Sequence, residues 1–531
     1  MTIRILAILA VSLWTVAACA GEAQGRIGGV VRSATTGEAL KSAVVTLRSG
    51  AGTAGLTRST TIGLEGVFLF EGLPPGSYQL TIRKAGYRPL HGATGRIALR
   101  EDQQATGLAF SLWPNAAISG RVLDTAGEAV AGARVRVYLV QYGQSGPRLS
   151  FAGEDRSNDL GEYRVFDLPA GKYVVRASPP LPGSPAGRFY ADAAGTYYPG
   201  VVALSQALPL QLGWGRDIER ADLTLSSGPT YTVAGAVVDA TMDAPCSRCV
   251  LRAVHLDGSL AVPLPDAARV SRDGRFTIRG LAPGDYRLIA VRDASGGAMS
   301  QRAVAVSNRS LDDVVLSVGV RQPVSGEIVL QNPPGGIDVT SWTPHLLPGA
   351  LPESWPKGRG EVEENLRFET EEVPSAEYRF EILNLPPGAY LKVLMAGGQA
   401  LARPELSVPE NAPVMNMRAV IAFDGGSITG AVQGGQPGRE MEGTAGARVF
   451  LIPGSSSDAY ASNLSTQAGQ DGSFGFATVV PGQYILYAQP EDSSADIYDG
   501  SVQAALRTFS RSVDVKSGQS SHVDLPLAVY P

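Results

Sequence analysis

A short proline–glycine turn followed by tyrosine recurs along this chain and limits its fold more than any other feature. It reads GLPPGSY at 72–78, LPAGKY at 168–173, LAPGDY at 281–286, LPPGAY at 385–390 and VVPGQY at 479–484. Proline presets one corner of a tight turn, and glycine supplies the positive φ of a type II turn at the next. Copies at this spacing through 531 residues mark a tandem repeat, in which one supersecondary unit is used again and again.

The stretches around each turn alternate apolar and polar side chains. A unit opens with a strand built around a small residue: IGGVV at 27–31, ISGRVLD at 118–124, VAGAVVD at 233–239, VSGEIVL at 324–330 and ITGAV at 428–432. A second strand follows as SAVVTL (42–47), GARVRVYL (132–139), CVLRAVHL (249–256) and GARVFLI (446–452), with GGIDVTSW (335–342) as the poorest copy. In GARVRVYL, Ala133, Val135, Val137 and Leu139 share one face, and a period of two is that of a half-buried strand. The third element is EGVFLFEGL, GEYRVFDL, GRFTIRGL, AEYRFEILNL or GSFGFATVV, commonly entered through a turn with an acid beside glycine. Then come the turn, a further strand and a closing strand (LAFSL, ADLTL, VVLSV, MNMRAV, VDLPL). The tyrosine is expected to plug the sandwich end and bond to backbone, as a tyrosine corner does.

The expected fold is therefore all-β: five tandem antiparallel Greek-key β-sandwiches after an N-terminal signal peptide. The expected divisions are 1–20 for the signal peptide, then sandwiches at 25–113, 114–227, 228–319, 320–422 and 423–531. In the leader, Arg4 precedes an apolar run from Ile5 to Ala18, too short to span a bilayer. Val16-Ala17-Ala18-Cys19 matches a lipobox, which would make Cys19 a lipidated first residue; Ala18-Cys19-Ala20 also fits ordinary cleavage before Gly21. The expected locations are the periplasm, the outer membrane as a lipoprotein, or the cell surface, with membrane attachment only through that lipid. The 44 % hydrophobic content allows each unit a core, and the net charge of −5 without a basic cluster excludes a nucleic-acid binder.

The pattern G-x-V-x-D-x-x-G-x-x-[VL]-x-G-A-x-V, followed by D-x-x-G-x-[FY] and L-x-P-G-x-Y, resembles the carboxypeptidase regulatory-like domain. That family is related to transthyretin-like, collagen-adhesin B-type and carbohydrate-binding-like sandwiches. Ile118 to Tyr173 is the nearest copy, with GRVLDTAGEAVAGARVRVYL and NDLGEYRVFDLPAGKY. The resemblance implies a sandwich fold and leaves function open, because such folds serve as spacer, adhesin, sugar-binding module or enzyme appendage.

Catalytic sets are missing from the sequence. A zinc carboxypeptidase needs His-x-x-Glu and a distant His; His91, His255, His345 and His522 are isolated, and none has Glu three residues on. Gly50-Ala-Gly-Thr-Ala-Gly55 has dinucleotide-loop spacing but leads into a strand rather than a helix. Glu154 to Asp159 places its glycine too late for an EF-hand loop. Related adhesin repeats carry isopeptide cross-links from a first-strand lysine, and no first strand here contains lysine. Cys246 and Cys249 are expected to form a local disulfide in an oxidising compartment.

The acidic segment 361–372 is expected to be a solvated edge strand. The candidate ligand surface is aromatic: Tyr190, Tyr197 and Tyr198 in an insertion of the second unit, and Trp342 and Trp355 in the fourth. Exposed rings stack on sugar C–H faces, whereas buried rings clamp loops. The expected function is a monomeric, exported, non-enzymatic binder of extracellular polysaccharide without cofactor. The alternative is a stalk or scaffold contacting envelope proteins.

Overall fold

A computed structural model describes residues 25–528, except 51–54, 90–93, 102, 144–145, 181–183, 185–186, 188, 191–192, 227, 258–259, 265–269, 293–297, 350–354, 411, 435–444, 455–459, 492 and 494. The leader, Cys19 and His91 lie outside the described residues. The chain divides into two compact units between Pro114 and Asn115.

Strands dominate both units, and their order repeats. The opening strands are Gly25–Ser33, Ala116–Leu123, Tyr231–Asp239, Val324–Gln331 and Gly426–Gln433. Each lies between an antiparallel third strand and a parallel closing strand. The other layer centres on a second strand paired with the strand after the corner, as in Val44–Ser49 with Gly76–Arg83 and Cys249–Asp257 with Gly284–Arg292. The sandwiches are antiparallel apart from that one parallel pair. In the fourth, both layers join in a single nine-stranded sheet.

Five hydrophobic cores lie between these layers among the described residues. The inward positions of the second strand bear out the alternation, since Ala133, Val135 and Val137 are fully buried. The small residue of the opening strand has a steric cause. A Cβ at Gly29, Gly120, Gly235, Gly326 or Gly430 would collide with the carbonyl oxygen of Leu108, Ala221, Val314, Met417 or Val523 on the closing strand. Glycine there lets the two parallel backbones approach.

The tyrosine corner is present in every sandwich. The hydroxyls of Tyr78, Tyr173, Tyr286, Tyr378 and Tyr484 donate to the carbonyls of Pro74, Pro169, Ala282, Pro374 and Val480, at 2.6–2.9 Å. The fourth copy corrects the sequence reading. Its corner is VPSAEY, ending at Tyr378, and not LPPGAY. AEYRFEILNL accordingly supplies the strand after the corner, Ala376–Leu383, while Arg367–Thr370 is the third strand. The second strand follows GGIDVTSW, at Thr343–Pro348.

Of the turn glycines, Gly284, Gly388 and Gly482 take the expected positive φ (156°, 81° and 156°) and Gly76 and Gly171 do not; positive φ also falls at positions that were not expected. Gly72, Asp167 and Gly280 take it (64°, 64° and 71°), just before the leucine that leads into the turn, at the bulge where the third strand leaves the opening strand. The acidic segment forms the hairpin of Gly358–Val362 and Arg367–Thr370, inside the nine-stranded sheet rather than at its edge. Its Glu361, Glu363, Glu364 and Glu369 side chains are solvated.

Residues 115–528 pack laterally, not as beads on a rod. The outward face of the second sandwich (Tyr138, Leu149, Val174) is covered by Tyr197 and Leu204 of its own insertion and by Val262 of the third sandwich. Val254, Ile289 and Met299 of the third join the core of the fourth. The fourth meets the fifth through the Tyr460 hydroxyl, which donates to Leu401 O at 2.8 Å and accepts from Leu394 N at 2.9 Å. The fifth returns to the second, where Asp496 accepts from Tyr142 N and Asp499 pairs with Lys172 at 3.2 Å. The contacts thus close a circuit.

Candidate functional site

The insertion of the second sandwich places its three candidate tyrosines on packing duty. Tyr197 lies in Thr196–Tyr197, which pairs with the strand after the corner at Arg176 and Ala177, and is 1 % exposed. Tyr198 and Tyr190 are half-buried against the core, and the Tyr190 hydroxyl is 3.4 Å from Asp124 Oδ2. Trp342 and Trp355, each 2 % exposed, belong to the fourth core. The Trp355 Nε1–H donates to the Tyr378 hydroxyl at 2.9 Å, so this ring completes the fourth corner. The five candidates are therefore split between two sandwiches and form no shared platform. An indole or phenol buried with its polar tip bonded is a packing residue with a satisfied handle.

A cluster that sequence reading missed forms where the second sandwich meets the third. His255, 8 % exposed, lies between Tyr197 (ring centroids 6.5 Å apart, 21° between planes) and Tyr286 (4.9 Å, 30°). Its Nδ1 is 3.4 Å from the Tyr197 hydroxyl. The Arg176 guanidinium sits 5.7 Å from the Tyr197 ring centroid. Burial, reinforced by Arg176, holds the imidazole below its ordinary pKa, against the opposing pull of Asp257 and Asp285. Burial raises the Tyr197 phenol and pushes Tyr286 up to about 12. Alternation along CVLRAVHL shows that His255 shares a face with Leu251 and Ala253, but only the neighbouring sandwich reveals its partners.

Two open depressions accompany these contacts. One, of about 310 Å³, lies between the fourth and fifth sandwiches, with Arg379, Glu381, Tyr390, Tyr460 and Ser462 in its walls. Arg379 Nη2 already donates to Ser462 Oγ at 2.7 Å. The other, of about 800 Å³, is a charged groove on the second sandwich, in whose wall Arg121 and Glu162 pair at 3.6 Å; Arg164, also in the wall, pairs with Asp217 outside it at 3.1 Å.

Cys246 and Cys249 form a disulfide at the start of a strand of the third sandwich, both buried in its core. His345 Nδ1 contacts Glu381 Oε1 at 3.0 Å, and His522 Nε2 lies 3.3 Å from Asp524. Among the described residues, no group of three or more His, Cys, Asp or Glu is placed to hold a metal ion.

No curated protein matches the chain. Among solved structures, the chain is similar to a Streptococcal ancillary pilin (14 % identity, 55 % of this chain, 98 % of that one, TM-score 0.18). It is also similar to the Bacillus anthracis TIE protein (9 %, 77 % and 73 %, 0.17) and the shaft pilin SpaA of Lactobacillus rhamnosus GG (11 %, 38 % and 97 %, 0.16). TM-scores this low carry no inference about activity. Residues 26–112 and 117–198, the first two sandwiches of the series, match the carboxypeptidase regulatory-like domain.

Proposed function

We propose that this protein is an exported structural or adhesin-type component of the cell envelope, whose sandwiches serve as spacers and protein-contact surfaces. The observation that carries this reading is the burial of the rings that a sugar platform would need: Tyr197, Trp342 and Trp355 are packed into interiors. Two further observations support it. The matched family is a regulatory-like domain rather than a catalytic one, and outward sheet faces of the second and third sandwiches are used to bind neighbouring sandwiches. The leader, whether cut at Cys19 or before Gly21, directs the chain out of the cytoplasm.

The test uses the mature chain in two arms. On a panel of polysaccharides we expect no saturable binding. With photo-cross-linkers at the exposed positions Leu69 and Phe166, 46 % and 67 % accessible, we expect discrete adducts with envelope proteins in cells. Saturable polysaccharide binding, lost when Tyr190 or Tyr198 is replaced, would overturn the proposal.

A further inference from the structure

The His255 cluster joins two sandwiches around one buried imidazole. Besides the stacked rings and the Tyr197–His255 contact, two further bonds cross the junction among the described residues. The Tyr138 hydroxyl donates to Pro263 O at 2.9 Å, and Ser205 N donates to Asp257 Oδ2 at 2.7 Å. Val262 contributes the apolar part, fully buried against Tyr138, Val174 and Leu204. His255 thus sits inside a contact with little water to solvate an imidazolium.

The groups facing it are Arg176 from Gly171–Ser178, Tyr197 from the insertion, Asp285 and Tyr286 from Gly284–Arg292, and Asp257 on its own strand. Tyr138 shares an apolar cluster with Tyr197 across the intervening strand Gly171–Ser178. Gly284 is also adjacent, since a Cβ there would lie 2.8 Å from Nε2. The Arg176 guanidinium is a fixed positive charge beside this pocket, and Asp257 already accepts from Ser205. When the imidazole gains a proton, both ring nitrogens become donors, so the Tyr197 hydroxyl loses its acceptor. A second cation then lies near Arg176 in a medium of low dielectric.

We propose that the Tyr197–His255–Tyr286 stack is an acid-operated clasp, and that protonating His255 releases the insertion of the second sandwich from the sheet of the third. The sign follows from linkage. A histidine held below its ordinary value favours the closed contact above pH of about 6.5, and this contribution is lost as pH falls through the lowered value. Asp496, at the contact between the fifth and second sandwiches, is shifted upward by burial, so its protonation does not oppose that contact in the same way. Acid should open one junction of the circuit before the other.

The test is hydrogen exchange of the full mature chain at neutral pH and at a pH near 5, corrected for intrinsic exchange rates. In the unmodified protein, the Ser205 amide, which donates to Asp257 across the junction, should lose protection about tenfold or more at the lower pH, while 482–489 keeps its protection. His255→Gln, which cannot titrate, should lose this pH response. If that variant does not fold, Tyr197→Phe replaces it; it keeps the imidazole but removes its hydroxyl partner, and should open at a higher pH. Unchanged protection of the unmodified protein near pH 5 would overturn the clasp. So would an identical loss in His255→Gln, or an unmoved opening pH in Tyr197→Phe.

Discussion

Tyr378→Phe is the sharpest perturbation of the repeat, because the fourth corner carries two hydrogen bonds on one phenol. Its hydroxyl donates to Pro374 O and accepts from Trp355 Nε1, both at 2.9 Å and both buried. Deleting it strands an indole N–H and a carbonyl in the interior. Taking about 1–2 kcal/mol for each stranded group, the lower part of the usual range, roughly 2–4 kcal/mol is expected for the pair. Tyr173→Phe strands one half-buried carbonyl and should cost about 1 kcal/mol. Tyr390→Phe removes an exposed bond to Asp424 and should stay within about 0.5 kcal/mol. Because several sandwiches do not unfold as one two-state system, the assay is native-state hydrogen exchange of the strand that follows each tyrosine. Amides in 376–383 should exchange roughly 30- to 700-fold faster in Tyr378→Phe, at 1.4 kcal/mol per decade. Equal effects of Tyr378→Phe and Tyr390→Phe would refute the assignment of the fourth corner.

Three further outcomes are expected. Gly235→Ala drives a methyl into the Val314 carbonyl and should destabilise the third sandwich by about 1–3 kcal/mol or more, seen as early urea unfolding of 231–239 by exchange. Replacing Cys246 and Cys249 with serine opens a ring of only four residues, for which loop entropy predicts a loss of about 2 kcal/mol; a thiol assay on the oxidised mature chain should find no free cysteine at these positions. Asp239 is held below the ordinary carboxylate value by the Thr241 hydroxyl, opposed by burial and aided by Arg292. Its contribution is therefore full above pH of about 4 and is lost as pH falls below it, so Asp239→Asn should flatten the acid limb of third-sandwich stability.

Local physics was legible from the sequence and long-range packing was not. Alternation named the inward residues correctly because a strand's period is fixed by its pleat. It could not show that Tyr138, on the nominally outer face of GARVRVYL, is fully buried, since that burial comes from the distant insertion and from the next sandwich. The continuous apolar runs YVV (173–175) and LIAV (288–291) carried this signal, because strands covered on both faces lose their alternation. The first sandwich shows the contrast: Thr46, Arg48, Gln79 and Thr81 on its second layer face away from the core with polar side chains.

The fourth corner was misread because VPSAEY lacks the glycine, and a better-looking decoy follows it. Spacing was the safer guide. From the opening-strand glycine to the corner tyrosine the interval is 49, 53, 51, 52 and 54 residues, whereas Tyr390 would lie 64 away. The decoy has its own role at the junction with the fifth sandwich, where Gly388 N donates to Thr478 Oγ1 at 2.9 Å. The candidate aromatics were found as residues but not as surfaces, for composition does not distinguish a displayed ring from one packed inside.

Strand-resolved hydrogen exchange of the unmodified mature chain tests most directly whether each repeat owns a core closed by its tyrosine corner. The slowest amides should fall in five separate groups, each containing an opening strand and the strand after its corner, with the intervening loops exchanging freely. Protection that ignores the opening strands, or that leaves any corner strand as exposed as the loops, would contradict the account.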